Sequence, residues 1–181
     1  EAPPSDRIPA EMQIFLDWFA HTAPGTPGAL PAITRAAVAH LWFECIHPFE
    51  DGNGRIGRAV AEMALSQATS TPCFTGMSTV LHRQRKTYYA QLKRHSVRLD
   101  IDEWLQWFAP CALQAQAEAD QFVRFLIDKA ALMQRLAGQL NPRQEKALLR
   151  LLREGPQGFT GGLSAGNYAA ITGATPATTT R

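Results

Sequence analysis

Apolar residues recur along this chain at helical rather than strand spacing. Met12, Phe15, Leu16 and Phe19 fall three and four apart, the stripe of an amphipathic helix, and Pro9 suits its first position. The Pro-rich stretch from Glu1 to Arg7 ahead of it reads as extended. Ala23 to Pro31, with three Pro and two Gly, reads as a loop. A second helix, about Thr34 to Ile46, places Val38, Leu41, Trp42 and Cys45 on one face. Ile56, Val60, Met63 and Ala64 mark a third, beginning near Arg55 and fading near Thr71 and Pro72. Ser78 is a candidate cap for a fourth that runs to about Arg98 and contains Tyr88, Tyr89 and Leu92. Asp100 or Asp102 opens a long helical stretch to Leu136, which Pro110 is expected to kink or divide and Gly138 to end. Strand alternation is almost absent, so the pattern predicts an all-α body.

The last forty or so residues change character. Asn141 and Pro142 make a cap and a first-turn proline, and Leu148, Leu149, Leu151 and Leu152 line a helix ending at Gly155. Ser164 starts a shorter helix with Tyr168 and Ile171 buried, Gly173 turns the chain, and Pro176 begins another. Helix, glycine turn, helix is the outline of a helix-turn-helix.

Composition narrows the class. Hydrophobic residues at 45% and charged residues at 19% of 181 suit a folded globular chain, and a net charge of +2 is too small to argue for nucleic acid. No apolar run approaches the length of a membrane span, and no secretory leader is visible. Cys45, Cys73 and Cys111 are widely spaced and odd in number, against both a disulfide framework and a structural zinc site; the reading is a reducing, cytoplasmic setting. The chain opens on Glu1 and stops at Arg181 within an unfinished motif, so a piece of a longer protein is expected.

The candidate chemistry lies in one loop, His47-Pro-Phe-Glu-Asp-Gly-Asn-Gly-Arg-Ile-Gly-Arg58. Gly52, Asn53 and Gly54 tolerate positive φ and bare their N–H groups, so they can form an anion nest. The helix that follows aims its N-terminus at the same anion. Arg55 and Arg58, three apart, add charge-assisted contacts to phosphate. Asp51 is a hard oxygen ligand suited to Mg²⁺, and His47 has the unperturbed pKa of a general base near neutrality. Phe49 is expected to anchor the loop in the core. Each residue alone means little; together they form a phosphoryl-transfer kit. Gly52 to Gly57 also matches G-x-G-x-x-G, but a helix rather than a strand precedes it. No acidic residue occurs between Glu62 and Asp100 to hold a ribose, so a dinucleotide fold is rejected.

His47 to Arg58 resembles the Fic family signature H-x-F-x-[DE]-G-N-G-R-x-x-R at every fixed position. The preceding His40-Leu-Trp-Phe-Glu-Cys-Ile-His47, Tyr88-Tyr89-x-x-Leu92 and Trp104-Leu-x-Trp-Phe108 are similar to bacterial Fic proteins. Leu140 to Gln144 and Gly161 to Ala165 resemble the winged-helix end of a multidomain subgroup. The resemblance implies a Fic-type helical bundle over 1–138 and the start of a winged helix-turn-helix over 139–181. It implies AMP transfer from ATP to a Ser, Thr or Tyr hydroxyl of a target protein, or of the chain itself. His47 would take the hydroxyl proton and Asp51 would hold Mg²⁺ on the α- and β-phosphates. Gly52, Asn53 and Gly54 would cradle those phosphates, with Ile56 and Gly57 in the same helical turn, and Arg55 and Arg58 would meet the β- and γ-phosphates. Tyr88 and Tyr89 match positions beside the nucleoside, although core packing of one helix accounts for them equally well. Kinase-like relatives of the Doc type carry Lys where Gly54 stands, so Gly54 implies nucleotidyl rather than phosphate transfer.

The inhibitory pattern [ST]-x-x-x-E-[GN] of many Fic proteins does not occur, nor does the target-aligning hairpin flap; both are expected upstream of Glu1. Six cations between Arg83 and Arg98, without an acid among them, could attract ATP or form a solvated helix face. The tail cations Arg143, Lys146, Arg150, Arg153 and Arg181 raise DNA as an alternative partner. Removal of AMP by the same site is a further alternative, and a homodimer is also considered.

Overall fold

The computed structural model describes residues 2–69 and 76–175. Among them the regular elements are all helical: α1 (Ile8–His21), α2 (Ala32–Ile46), α3 (Asn53–Thr69), α4 (Met77–Arg83), α5 (Arg85–His95), α6 (Asp102–Arg135), α7 (Pro142–Leu151), a 3-10 segment (Leu152–Gln157) and α8 (Ala165–Thr172). The chain is thus all-α, as its apolar spacing predicts. It forms two compact units, Glu1–Ala119 and Asp120–Arg181. They part inside α6, whereas the sequence reading drew the division after Gly138. Cys73, the fading of α3 at Thr71 and Pro72, the helix expected from Pro176, and Arg181 lie outside the described residues.

The core of the first unit is built round α2. Arg35, Ala36, Ala37, Ala39, His40, Leu41, Phe43 and Ile46 are buried, so the helix is enclosed on most of its circumference. Of the face expected from sequence, Leu41 is buried, while Val38, Trp42 and Cys45 are half-buried. α1 covers one side: the rings of Phe15 and Trp18 meet Trp42, Phe15 also meets Phe43, and Phe19 packs against Phe15. α6 covers another: Trp104 is fully buried and its Nε1 donates to the Ala37 carbonyl at 2.9 Å. Arg35 is buried without an acid. Its guanidinium instead donates to Thr22 Oγ1, Gln67 Oε1 and the Phe19 carbonyl, and lies 3.8 Å from the Phe19 ring centroid. Spreading a buried charge over several acceptors offsets its desolvation.

α2 and α3 form an antiparallel hairpin. Arg35 reaches Gln67 at its far end, and His40 and Glu44 face Gly57 near the connecting loop. The buried face of α3 is Asn53, Gly57, Ala61, Ala64 and Leu65. Only Ala64 belongs to the stripe expected from hydrophobicity; Ile56 and Met63 are exposed. Close helix approach favours small residues, so the largest apolar side chains mark the wrong face.

Two further expectations change. The helix predicted from Ser78 to Arg98 is two helices: Gln84 adopts φ −100°, ψ 20°, ending α4 and opening α5, and its side chain accepts from Trp107 Nε1. Gly76, not Ser78, precedes α4. Of the kink or division expected at Pro110, the division does not occur: α6 continues through it. The proline is exposed, as is Gln106, whose carbonyl loses its i+4 donor, so water can satisfy that carbonyl.

In the second unit Asn141 forms a capping box with Gln144 at the start of α7. Ser164 caps α8 by accepting from the Asn167 N–H, and Gly173 closes it in the left-handed conformation. Tyr168 and Ile171 are half-buried rather than buried.

The α2–α3 contact makes a direct prediction. Ala61→Leu should cost about 2 kcal/mol by overpacking, whereas Met63→Ala on the exposed side should stay within about 0.5 kcal/mol. Urea unfolding of the two variants would show the reverse order if the hydrophobic stripe were the packed face.

Candidate active site

The glycine loop connects α2 to α3, and two backbone conformations turn it. His47 caps α2 with φ 52° and ψ 56°, and is the one non-glycine residue with positive φ among those described. Its N–H still donates to the Phe43 carbonyl at 3.0 Å. A left-handed conformation costs an L-residue about 1 kcal/mol, and such strain is often held where a side chain must be aimed. Gly52, at φ 89°, makes the second turn. Its carbonyl accepts from the N–H groups of both Arg55 and Ile56 at 3.0 Å, so α3 begins at Asn53, two residues earlier than predicted.

Asn53 locks the loop. Its side chain is buried, its Oδ1 accepts from the Phe49 N–H at 3.0 Å, and its Nδ2 donates to the Phe49 carbonyl at 2.5 Å. The sequence offered Asn53 for its backbone N–H, as part of an anion nest; its side chain in addition binds the loop's own backbone. Phe49 is not the core anchor expected of it. Its ring is half-exposed, with its centroid 6.3 Å from that of Phe43 in the core.

Polar groups on the outer side of the loop remain accessible. One oxygen of Asp51 accepts from the Gly52 N–H at 2.6 Å; the other pairs with Arg55 Nη2 at 2.9 Å. Both side chains are largely exposed, and such a pair is worth under about 1 kcal/mol, so a ligand can displace it. No group of three His, Cys, Asp or Glu converges on a metal among the described residues. A single exposed carboxylate beside a helix N-terminus fits a Mg²⁺ ion that shares its coordination with phosphate.

Arg58, one turn further along α3, donates from Nε to Ser78 Oγ at 2.9 Å. It opens on a cavity of about 810 Å³ lined by Ser78, Thr79, His82, Arg83, Tyr88 and Tyr89 among others. Both tyrosines therefore reach the site, in different ways. Tyr88 is buried in the wall, whereas Tyr89 is 66% exposed with its ring 5.2 Å from that of Tyr88. Tyr89 also borders a second hollow of about 410 Å³, which His47 lines with Glu44, Cys45, Leu92 and Lys93. His47 and Arg58 thus stand on adjoining hollows, one on each side of Tyr89.

Beneath the loop lies a polar group that sequence reasoning passed over. His40 is wholly buried and its Nε2 is 3.0 Å from the Tyr88 hydroxyl. Burial pulls its pKa down to about 4, so the ring is neutral at physiological pH. Glu44 stands one turn on. Burial raises its pKa, opposed by the charges of His47 and Arg58. Burial also pushes the Tyr88 phenol up, the Glu44 carboxylate adding to the rise and Arg58 opposing it. The i,i+4 spacing of His40 and Glu44 was the available signal; core packing of an apolar helix concealed it.

The loop lock predicts that Asn53→Ala loses about 2 kcal/mol of stability, two hydrogen bonds with their backbone partners left unmet. Amide exchange at Phe49 should accelerate with it; unchanged protection there would show that the amide does not hold the loop.

With that geometry in view, the chain can be set beside known proteins. Residues 1–65 match the model of the Fic/DOC family. The probable protein adenylyltransferase of Aquifex aeolicus (strain VF5) is 28% identical over 91 residues, 50% of this chain and 25% of that protein. The protein adenylyltransferase Fic of Drosophila sechellia is 29% identical over 154 residues, 80% of this chain and 30% of that protein. The chain therefore spans under a third of the length of either relative. The crystal structure of a Fic family protein from Desulfovibrio desulfuricans G20 covers 96% of this chain and 45% of its own, with a TM-score of 0.58 and 24% identity, a likeness of fold. Residues 1–65 of this chain, with the loop from His47 to Arg58 inside them, carry a Fic/DOC family domain.

Proposed function

We propose that this chain transfers AMP from ATP to a hydroxyl of a protein, on a separate target or on itself, in a cytoplasmic setting. The observation that carries the reading is the loop between α2 and α3. It holds an imidazole, a helix N-terminus, an exposed carboxylate and two arginines within one strapped turn. The curated relatives are named as protein adenylyltransferases, which agrees with it.

The chemistry needs little from the protein beyond positioning and charge. The target oxygen attacks the α-phosphorus; the new O–P bond forms as the bond to the β-phosphate bridging oxygen breaks, and pyrophosphate leaves. His47, on the hollow beside Tyr89, accepts the hydroxyl proton. The N–H groups of the first turn of α3, from Asn53 and Gly54, face the α- and β-phosphates. Arg55 and Arg58 take the charge of the more distal phosphates, Arg55 exchanging its pair with Asp51 for the ligand. Asp51 would hold Mg²⁺, which when bound neutralises phosphate charge. Gly54 favours this reading over phosphate transfer by the resemblance alone, since kinase-like relatives of the Doc type carry Lys at that position.

Incubation with α-labelled ATP, Mg²⁺ and candidate protein substrates should label protein, and His47→Ala should lower the rate by roughly 10²–10⁴-fold. Transfer of label from γ-labelled ATP instead would identify a kinase and overturn the assignment.

A second activity is favoured by one feature of the tail. Lys146, Arg150 and Arg153 line a groove of about 500 Å³ with Phe159 and Asn167, a basic surface suited to a nucleic-acid backbone. This extends the helix-turn-helix reading of 139–181 to DNA. Binding should then weaken with salt at a log–log slope of about −2 to −3 for three phosphates, flattened in Lys146→Glu/Arg153→Glu. Failure to bind DNA at low salt would rule it out.

A further inference from the structure

His40 Nδ1 and Glu44 Oε1 are buried side-chain atoms that no side chain satisfies, Nδ1 meeting only the backbone of Gly57. They face the same point. A Cβ on Gly57 would stand 3.2 Å from His40 Nδ1 and 2.7 Å from Glu44 Oε1. Unmet polar atoms in a core are costly, and a Phe or Leu at position 40 would avoid the cost among the rings of Trp104 and Phe108. The other end of the imidazole explains what the polarity does. Nε2 holds the hydroxyl of Tyr88, and Tyr88 walls the cavity into which Arg58 opens.

We propose that His40 is a positioning residue, which with Glu44 orients the Tyr88 hydroxyl and, through it, Arg58 toward the distal phosphates of a nucleoside triphosphate. The proposal rests on the nucleotide reading above and adds residues to it. A carboxylate on the Nδ1 side favours the tautomer with the proton on Nδ1, leaving Nε2 as the acceptor. The Tyr88 hydroxyl then donates to Nε2, and its lone pairs are left for the guanidinium of Arg58. Ser78 accepts from Arg58 Nε, so the Tyr88 hydroxyl takes one Nη hydrogen and the remaining Nη hydrogens are left for phosphate. The line runs from α2, through α5, to α3. It ties the cation that meets the triphosphate to the helix whose end carries His47.

Titration calorimetry with MgATP and with AMP tests this on the intact chain, because AMP lacks the phosphates that Arg58 would meet. Tyr88→Phe and His40→Phe should each weaken MgATP binding about tenfold, the loss of one hydrogen bond in a charged network. AMP affinity should stay within about twofold. The double variant should be no weaker than either single one, since both cut the same line. His40→Gln, which returns an amide near the Nε2 position, should recover most of the affinity. Equal losses for ATP and AMP, or losses that multiply in the double variant, would overturn the proposal in favour of simple packing. Should His40→Phe fail to fold, Tyr88→Phe, which removes one oxygen atom, carries the same ATP-against-AMP comparison. Wild-type protein that binds MgATP but transfers no label would refute AMP transfer and leave this inference standing. Wild type that does not bind MgATP would sink both.

Discussion

The site depends on how closely α3 can lie against α2. Gly57, Ala61 and Ala64 present almost no side chain on the buried face of α3, and α2 meets α3 through Arg35, His40 and Glu44. Because the two helices lie close, the loop between them is short and sharply turned. Its turns then require a left-handed residue at His47 and a glycine at Gly52. The same closeness puts His40 and Glu44 directly under Gly57. A bulkier interface would lengthen the path from the end of α2 to the start of α3, and the imidazole and the helix N-terminus would no longer share one small surface.

Within that frame, polar groups divide by burial, and the division follows their work. Buried ones hold shape: the Asn53 amide on Phe49, Arg35 on three acceptors, and the Trp104 indole on Ala37. They are expensive to break in a low-dielectric core. Exposed ones, notably the Asp51–Arg55 pair, are cheap to break, and they are the groups offered to a ligand. A scaffold held by buried hydrogen bonds can therefore present charges that readily change partners. His40 is buried like the first of these classes and reaches the cavity only through Tyr88, whereas Glu44 is half-buried and lines the hollow beside His47.

The second unit is organised by its caps rather than by a deep core. A full capping box starts α7, a serine cap starts α8, and a left-handed glycine ends it. Buried apolar side chains are few there, and Leu149 and Leu163 are exposed. Such local signals are short-range, and this explains why the helix starts at Asn141 and Ser164 were readable from the amino acids alone.

The amino-acid sequence by itself determined the helical class, the caps of the tail, and the membership of the loop from His47 to Arg58 in one chemical group. Spacing of apolar residues, capping chemistry and a twelve-residue pattern are all local, so they need no knowledge of neighbours. Tertiary structure decided which faces pack. α3 turned its alanines and glycine inward because proximity to α2 outweighed the area that Ile56 and Met63 would bury. It also decided that α6 runs through Pro110, where the exposed Gln106 carbonyl that loses its donor is left to water, and that the fourth helix breaks at Gln84. Above all it decided the environment of His40 and Glu44. Their place beside Tyr88 and Gly57 depends on residues 17 or more positions away on two other helices for His40, and no periodicity within α2 could have announced it.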